Sequence, residues 1–263
     1  MRLKISLKGE DKLFIPFNYN HILSSIIYNK IIDKDLANEL HSAHTFKFFT
    51  FSQLNIYNKN MVKNGFISRT GQINFKLTSP NDYLIKSLVE GHLDDLKVNF
   101  INQELFVEKI EILKDVEFKN KMNFKTISPI IVRIKKETDG KLKVWDLQPN
   151  EELFYRNLEK NLVKKYNQFY NTTPNEKENE NKNKNKNETE TEKRKEKKIG
   201  DIEINSQMRN VKSKRITIEK GNQKTFHRAY LMDINLKGDE DLIKFGYNCG
   251  LGEKNSLGFG MIQ

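Results

Sequence analysis

The sequence predicts an α+β protein built from two tandem ferredoxin-like (RRM-like) domains. Three observations lead to this fold class. Before about residue 120, strand and helix patterns follow one another in the order β-α-β-β-α-β. A second, looser copy of that order occupies the remainder of the chain. Within this second copy, one segment of strongly biased composition interrupts the pattern, and we interpret it as an insertion.

The first predicted domain, residues 1–120, opens with a strand, because apolar and polar residues alternate over 2–7. A cluster of asparagines then precedes a helix with one apolar face. That face is formed by Leu23, Ile26, Ile27 and Ile31. The later predicted elements are a short helix at 34–41, strands at 48–57 and 72–77, a helix capped by Ser79 or Asn81, and a strand or hairpin at 98–113.

The second predicted domain, residues 121–263, repeats this order with less distinct boundaries. A strand pattern at 124–134 is followed by a helix that Asn150 can cap. The remaining predicted elements are long strands or a hairpin at 201–218 and 225–236, a short helix at 239–247, and a closing strand at 259–262.

The insertion, residues 174–198, consists almost only of Asn, Lys, Glu and Thr. It contains no apolar residue, so it cannot bury surface to offset the entropy of ordering. We therefore expect a disordered or weakly helical segment. Its nine basic and seven acidic residues contribute only +2 of the net charge of +11, so the basic character belongs to the folded parts.

The net charge of +11 favours a polyanionic partner, of which nucleic acid is the commonest. Cys249 is the single cysteine, which excludes an internal disulfide, and the five histidines show no zinc-ligand spacing. The sequence shows neither a signal-peptide pattern nor an apolar run long enough to span a bilayer. These patterns predict a cytoplasmic protein with no metal, no cofactor and no membrane association.

The C-terminal segment at 246–260 contains five glycines around a short polar stretch. Glycine permits positive φ and lets backbone N–H groups approach a phosphate. The segment therefore predicts a loop that binds a nucleic-acid backbone, and a glycine-rich turn between a helix and an edge strand is an equal alternative. The residues that would contribute are Gly250, Gly252, Lys254, Asn255, Ser256, Gly258 and Gly260.

The closing phrase GLGEKNSLGFGMI resembles the glycine-rich signature of CRISPR-associated endoribonucleases that cut repeat RNA into guide units, the Cas6 family. The N-terminal part is similar to the same family at 16–21, 26–29, 40–41 and 47–52. The middle agrees in pattern at 126–129 and 228–230. The resemblance thus covers nearly the whole chain apart from the insertion.

The resemblance implies tandem ferredoxin-like domains and a metal-independent cut, in which a ribose 2′-OH attacks the adjacent phosphate. It places Tyr28, His41 and Lys47 at the family's catalytic positions. A histidine can transfer the proton near neutral pH, a tyrosine can hydrogen-bond the nucleophile, and a lysine can stabilise charge on the phosphorane. His44 is the alternative to His41.

Without the resemblance, each of these residues has an ordinary explanation. Tyr28 would be a boundary residue of an amphipathic helix, and Lys47 would be a solvated lysine. The catalytic assignment therefore depends on the three residues acting as a set.

Basic residues also concentrate on the strands predicted around 209–224, where only Glu219 opposes them. This density predicts a stripe that binds RNA phosphates, and a solvated strand face is the alternative. The residues are Arg209, Lys212, Lys214, Arg215, Lys220 and Lys224.

The favoured function is cleavage of CRISPR precursor RNA within its repeats, leaving a 2′,3′-cyclic phosphate and a 5′-OH, with the guide RNA retained. A non-catalytic RNA-binding subunit of a CRISPR ribonucleoprotein complex is the alternative, and the presence of all three catalytic residue types favours the enzyme. A general RNA-binding protein is disfavoured, because no aromatic RNP motif occurs on a predicted strand. Other subunits of such a complex, and a second copy of the chain in a homodimer, stay open as partners.

Overall fold

The computed structural model describes residues 1–41, 46–138, 140–172, 200–208, 210–220 and 223–263. The predicted insertion at 174–198, together with His44 and Arg209, lies outside the described residues. The backbone of His41 is described, and its side chain is not. None of the described helices is both long and apolar enough to cross a membrane.

The first domain is built around one antiparallel sheet with the order β3-β7-β1-β9-β8, and β4 also pairs with β7. Alternation along β1 buries Leu3, Ile5 and Leu7 on the core side of that sheet. The strands are β1 (Arg2–Gly9), β2 (Leu13–Pro16), β3 (Thr50–Phe51), β4 (Asn55–Ile56), β5 (Lys59–Val62), β6 (Gly65–Ser68), β7 (Gln72–Thr78), β8 (Lys97–Phe100) and β9 (Gln103–Ile112).

Three helices, α1 (Asn20–Asn29), α2 (Lys34–His41) and α3 (Asp82–Asp94), complete the first domain. The side chain of Asn81 caps α3 by accepting a hydrogen bond from the backbone N–H of Leu84. The apolar face predicted for the first helix is buried at Leu23, Ile26 and Ile27. The central strands have the order of a ferredoxin-like domain, because β1 lies between β7 and β9.

The second domain has its own sheet, in which β16 lies between β10 and β13. The backbones of Lys125 and Gln263 exchange two hydrogen bonds of 2.8 Å, so the C-terminal residues extend this sheet beside β10. The strands are β10 (Lys121–Lys125), β11 (Arg133–Thr138), β12 (Lys141–Asp146), β13 (Ile202–Asn205), β14 (Lys212–Lys220), β15 (Gln223–Leu231) and β16 (Asp233–Gly238), and the helices are α4 (Glu152–Thr172) and α5 (Glu240–Cys249). The prediction of two tandem ferredoxin-like domains is confirmed.

Several predicted strands are divided in the structure. The strand expected at 201–218 is two strands, because Met208 between them has a left-handed φ of 57° that extended structure cannot contain. The region 225–236 is divided at Met232, where the chain leaves the β14–β15 hairpin and joins the sheet. The three-stranded sheet β2-β6-β5 and the β11–β12 hairpin were not predicted.

The two domains meet through polar side chains of the first that bind backbone carbonyls of the second, and through the Phe48 ring, which packs against Phe169 and Phe245. The guanidinium of Arg2 donates to the carbonyls of Ile262 (3.0 Å) and Tyr247 (2.9 Å) and lies 3.6 Å from the centre of the Tyr247 ring. Burial lowers the pKa of Arg2 to about 10. Their cores are separate clusters of buried apolar side chains, and the exact boundary at residue 120 stays a prediction.

Candidate active site

The glycine-rich loop after α5 is closed by hydrogen bonds within itself. Leu251 donates its N–H to the carbonyl of Gly260 (2.8 Å), and the Asn255 amide donates to the carbonyls of Leu251 (3.0 Å) and Phe259 (2.9 Å). Gly260 has a φ of +76°, and a Cβ there would lie 1.8 Å from the carbonyl oxygen of Leu251. Only glycine fits at this crossing of the chain.

A buried lysine of α4, in the second domain, binds the loop through hydrogen bonds. The ammonium of Lys165 donates to the carbonyls of Gly250 (2.5 Å) and Gly252 (3.2 Å) and to Oδ1 of Asn255 (3.0 Å). Burial lowers the pKa of Lys165. The sequence interpretation missed this residue, although it falls seven positions after Leu158 and three after Leu162, on the buried face of the helix.

The first domain holds the same loop from the other side. Asn20 Nδ2 donates to the carbonyl of Leu257, Ser24 Oγ to that of Ser256, and Thr50 Oγ1 to that of Phe259, each at 2.8 Å. The loop is therefore fixed between α1 and β3 of one domain and α4 of the other. This places α1, which carries Tyr28, directly beside the loop.

Tyr28 is half-buried against the loop. Its hydroxyl is hydrogen-bonded to the side chain of Ser256, and its ring packs edge-on against Phe49 at 5.5 Å between centroids. Burial raises the pKa of Tyr28, so its hydroxyl keeps its proton further into the alkaline range than a free tyrosine.

Lys47 and Ser256 both line a cavity of about 210 Å³. The charged groups that line the cavity are four cations and one carboxylate. They are Lys47, Arg133, Lys165, Lys254 and Glu253. Burial lowers the pKa of Lys47. Tyr28 and Lys47 thus both lie beside the glycine-rich loop: Tyr28 is hydrogen-bonded to Ser256, and Lys47 lines the same cavity as Ser256.

The single carboxylate of the cavity is already neutralised. Arg133 donates from its backbone N–H to Oε1 of Glu253 (3.0 Å) and from Nε to Oε2 (2.8 Å), and its second terminal nitrogen also contacts Oε2. A cationic cavity of this kind suits a phosphate group. Within the described parts of the chain, no group of three or more His, Cys, Asp or Glu side chains is placed to hold a metal ion.

The third predicted catalytic residue is only partly described. His41 is the last residue of α2 and follows the buried Leu40. The position of its imidazole relative to Tyr28 and Lys47 stays a prediction, as does the choice between His41 and His44.

Four of the predicted RNA-binding residues of β14 and β15 are exposed and divide between the two faces of that hairpin. The pairing of the strands puts Arg215 and Lys224 on one face and Lys212 and Lys214 on the other. The guanidinium of Arg215 lies 4.4 Å from the centre of the exposed Phe226 ring. The hairpin is joined to the loop by its buried residues Ile218 and Ala229, which cluster with Phe259.

In the glycine-rich loop, the predicted RNA-binding side chains differ in their environment. The Asn255 amide is engaged inside the loop, Ser256 faces Tyr28 and the cavity, and Lys254 lines the cavity. Their contact with RNA stays a prediction.

Two family models together match almost the entire chain. Residues 14–111 match the model described as CRISPR-associated protein Cas6, N-terminal, and residues 113–263 match CRISPR associated protein Cas6, C-terminal.

Curated relatives and solved structures match over the full length of this chain. The chain is 38% identical to CRISPR-associated endoribonuclease Cas6 1 of Methanocaldococcus jannaschii, covering 100% of this chain and 92% of that protein. It is 30% identical to a putative CRISPR-associated endoribonuclease-like protein Cas6 of Pyrococcus furiosus, covering 100% and 98%. A solved structure described as CRISPR associated protein Cas6 superposes with a TM-score of 0.76 at 37% identity, covering 100% and 98% of the two chains.

Proposed function

Because the chain belongs to the Cas6 family of CRISPR-associated proteins, we propose that it is an endoribonuclease that cuts CRISPR precursor RNA within the repeats and retains the guide RNA. The observation that carries this proposal is the placement of both Tyr28 and Lys47 beside the glycine-rich loop: Tyr28 is hydrogen-bonded to Ser256, and Ser256 and Lys47 line one cationic cavity. The sequence spacing of the two residues does not account for this placement. A tyrosine hydroxyl and a lysine ammonium are groups that can serve phosphodiester cleavage.

The proposed reaction is an attack of a ribose 2′-OH on the neighbouring phosphorus. A bond forms between O2′ and phosphorus, and the bond between phosphorus and O5′ breaks. The O2′ proton passes to a base, and O5′ receives a proton as it leaves. The products are a 2′,3′-cyclic phosphate and a 5′-OH, and the balance requires no metal.

We assign the proton transfer to His41, whose side chain type titrates near neutral pH. Tyr28 remains a protonated hydroxyl because its pKa is raised by burial, so it can donate a hydrogen bond to the nucleophile or to a phosphate oxygen. Lys47 supplies positive charge at the phosphorane, in a site where reduced contact with water strengthens the interaction.

The substrate is held by a larger surface in this proposal. The loop residues Lys254 and Ser256 contact the phosphate at the cut, and the β14–β15 hairpin contacts phosphates beyond it. The reaction takes place in the cytoplasm, and other CRISPR complex subunits or a second copy of the chain are further partners.

The first experiment incubates the protein with labelled repeat RNA in excess EDTA, beside the same RNA with a 2′-deoxy sugar at the mapped cut. Cleavage of the ribose substrate alone is the expected result. Binding of both RNAs without cleavage of either would instead favour the non-catalytic subunit, a function consistent with the endoribonuclease-like description of the Pyrococcus furiosus relative.

The assignment of His41 is tested by His41→Ala. We expect RNA binding to persist while single-turnover cleavage slows by about 10²- to 10⁴-fold, the range for loss of a general acid or base. His44→Ala is the parallel variant, and it should cleave at nearly the wild-type rate. Undiminished cleavage by His41→Ala together with loss of cleavage by His44→Ala would transfer the role to His44.

A further inference from the structure

The β11–β12 hairpin, residues 133–146, forms an arm beside the proposed active site. Its two strands pair only with each other, from Arg133 opposite Asp146 to Thr138 opposite Lys141. Most of its described side chains are exposed to solvent.

One face of the arm combines an exposed aromatic ring with lysines. Because paired residues point to the same side, strand pairing puts Ile134 and Trp145 on this face, next to the pair Lys136 and Lys143, with Lys141 beyond them. Trp145 is the only tryptophan of the chain and is 50% exposed. The distance along the strand from Trp145 to Lys141 is about 13 Å at the usual rise per residue.

The lysines on this face lie close together. Lys136 and Lys143 are paired directly opposite each other, and the two described carboxylates of the arm, Glu137 and Asp146, belong to the other face. The described part of this face therefore places lysines beside the Trp145 ring, and lysine ammonium groups suit the phosphates of RNA.

The base of the arm is fixed next to the cavity. Arg133 binds Glu253 of the glycine-rich loop, and Asp146 Oδ2 accepts the backbone N–H of Arg228 at 2.8 Å. Both anchors involve residues of the other face. On the face with Trp145, the half-buried Ile134 packs against the core of the second domain, and the outer part with Trp145 and the lysines can meet a ligand that extends outward from the cavity.

We propose that this face binds unpaired RNA next to the cut, with a base stacked on Trp145 and phosphates against Lys136, Lys141 and Lys143. The inference rests on the proposed function, because RNA must reach the cavity for the arm to contact its continuation. Stacked bases and phosphates match an aromatic ring among lysines. A protein interface is the poorer match, because lysine is depleted in such interfaces.

The single tryptophan provides a direct measurement. RNA labelled with a dye far from tryptophan emission is titrated into the full chain, and both its anisotropy and the Trp145 fluorescence are recorded. We expect unstructured RNA to quench Trp145 at the same concentrations at which it binds, and a duplex of equal length to quench it much less. RNA binding without any change in Trp145 fluorescence would overturn the proposal that the arm binds RNA and would leave the proposed function intact. Absence of RNA binding would overturn both.

Variants test the contribution to affinity. Trp145→Ala should raise the Kd for unstructured RNA about 5- to 150-fold, the effect of removing one stacking platform, and Trp145→Phe should recover part of it. Leu142→Ala is the matched control, because Leu142 is 71% exposed on the opposite face of the same strand, and its Kd should be unchanged. Equal effects of Trp145→Ala and Leu142→Ala, or tight capture of a second protein chain with no loss of RNA affinity, would overturn the proposal.

The contribution of the lysines can be measured separately, from the salt dependence of RNA binding. Replacing Lys136 and Lys143 together by Gln should reduce the slope of log K against log salt by about 1.4, since each single-strand phosphate contact contributes about 0.7. An unchanged slope would show that these lysines contact no phosphate.

Discussion

At the glycine-rich loop, Tyr28 and Lys47 both lose contact with water, and the two pKa values move in opposite directions. Desolvation disfavours the charged form of each group, which is the anion of tyrosine and the cation of lysine. The pKa of Tyr28 is therefore raised and that of Lys47 lowered. As pH rises, Lys47 should therefore lose its charge at a lower pH than an ordinary lysine, and Tyr28 should become an anion at a higher pH than an ordinary tyrosine.

The lowered pKa of Lys47 gives a prediction for Lys47→Arg. If Lys47 stabilises the phosphorane by its charge, wild-type cleavage should fall in the alkaline range below the ordinary lysine value of 10.5. The guanidinium stays protonated throughout, so the alkaline decline of the variant should move to higher pH. Single-turnover rates between pH 6 and about 10 measure this, with the exposed Lys160→Arg of α4 as control. An alkaline decline at the same pH in all three proteins would show that another group titrates.

At this scale the sequence predicted residue types better than residue partners. Tyr28 and Lys47 could be paired only through the family resemblance, because nothing in their spacing indicates that both lie beside the glycine-rich loop. The Asn255 amide closes the loop, which no local pattern indicates, and its predicted contact with RNA stays a prediction. Lys165 was detectable as a cation on an apolar helix face.

Among the elements, the glycine-rich loop depends most on tertiary contacts. Most of it pairs with no described strand. Its shape is set by Lys165 of the second domain and by three side chains of the first domain, Asn20, Ser24 and Thr50. A loop of this kind keeps its conformation only while those donors satisfy its carbonyls.

Lys165→Met is the variant that tests this dependence. It retains the length and apolar stem of the side chain but leaves the carbonyls of Gly250 and Gly252 and the Asn255 side-chain oxygen without the ammonium. We expect the free energy of unfolding to fall by about 1–3 kcal/mol, the cost of buried polar groups left unsatisfied, and RNA cleavage to weaken with it. Urea denaturation compares this variant with Lys160→Met, an exposed lysine of the same helix. Equal stability of the two variants would show that the loop does not need the ammonium.

The order of the regular elements was predictable where hydrophobic periodicity was strong. The helix that buries Leu23, Ile26 and Ile27 and the strand that buries Leu3, Ile5 and Leu7 follow from that periodicity. The arm at 133–146 was not predicted, because most of its side chains are exposed and apolar and polar residues alternate only over 141–144.

For the whole molecule, the two tandem domains create the site only by meeting. The first domain contributes Tyr28 and Lys47, and the second contributes the loop and the Arg133–Glu253 pair. Arg2 joins the two sheets at the other end of the interface. The sequence predicted two similar domains, but their relative placement depends on polar contacts between residues more than 200 positions apart.

The insertion should be dispensable for the whole molecule. Deletion of 174–198 removes 9 basic and 7 acidic residues, so a net charge of +9 remains from +11. Four residues, Thr173, Ile199, Gly200 and Asp201, still join α4 to β13, a length common between elements in compact domains. We expect soluble protein with an unfolding midpoint, a cleavage rate and a salt dependence of RNA binding close to those of the full chain, because the segment has no apolar surface to bury. A second variant, in which a Gly/Ser linker of the same length replaces the segment, separates length from composition. Loss of soluble protein in both variants would show that the segment is needed for folding, whereas loss of RNA affinity in both would show that its charges contact the substrate.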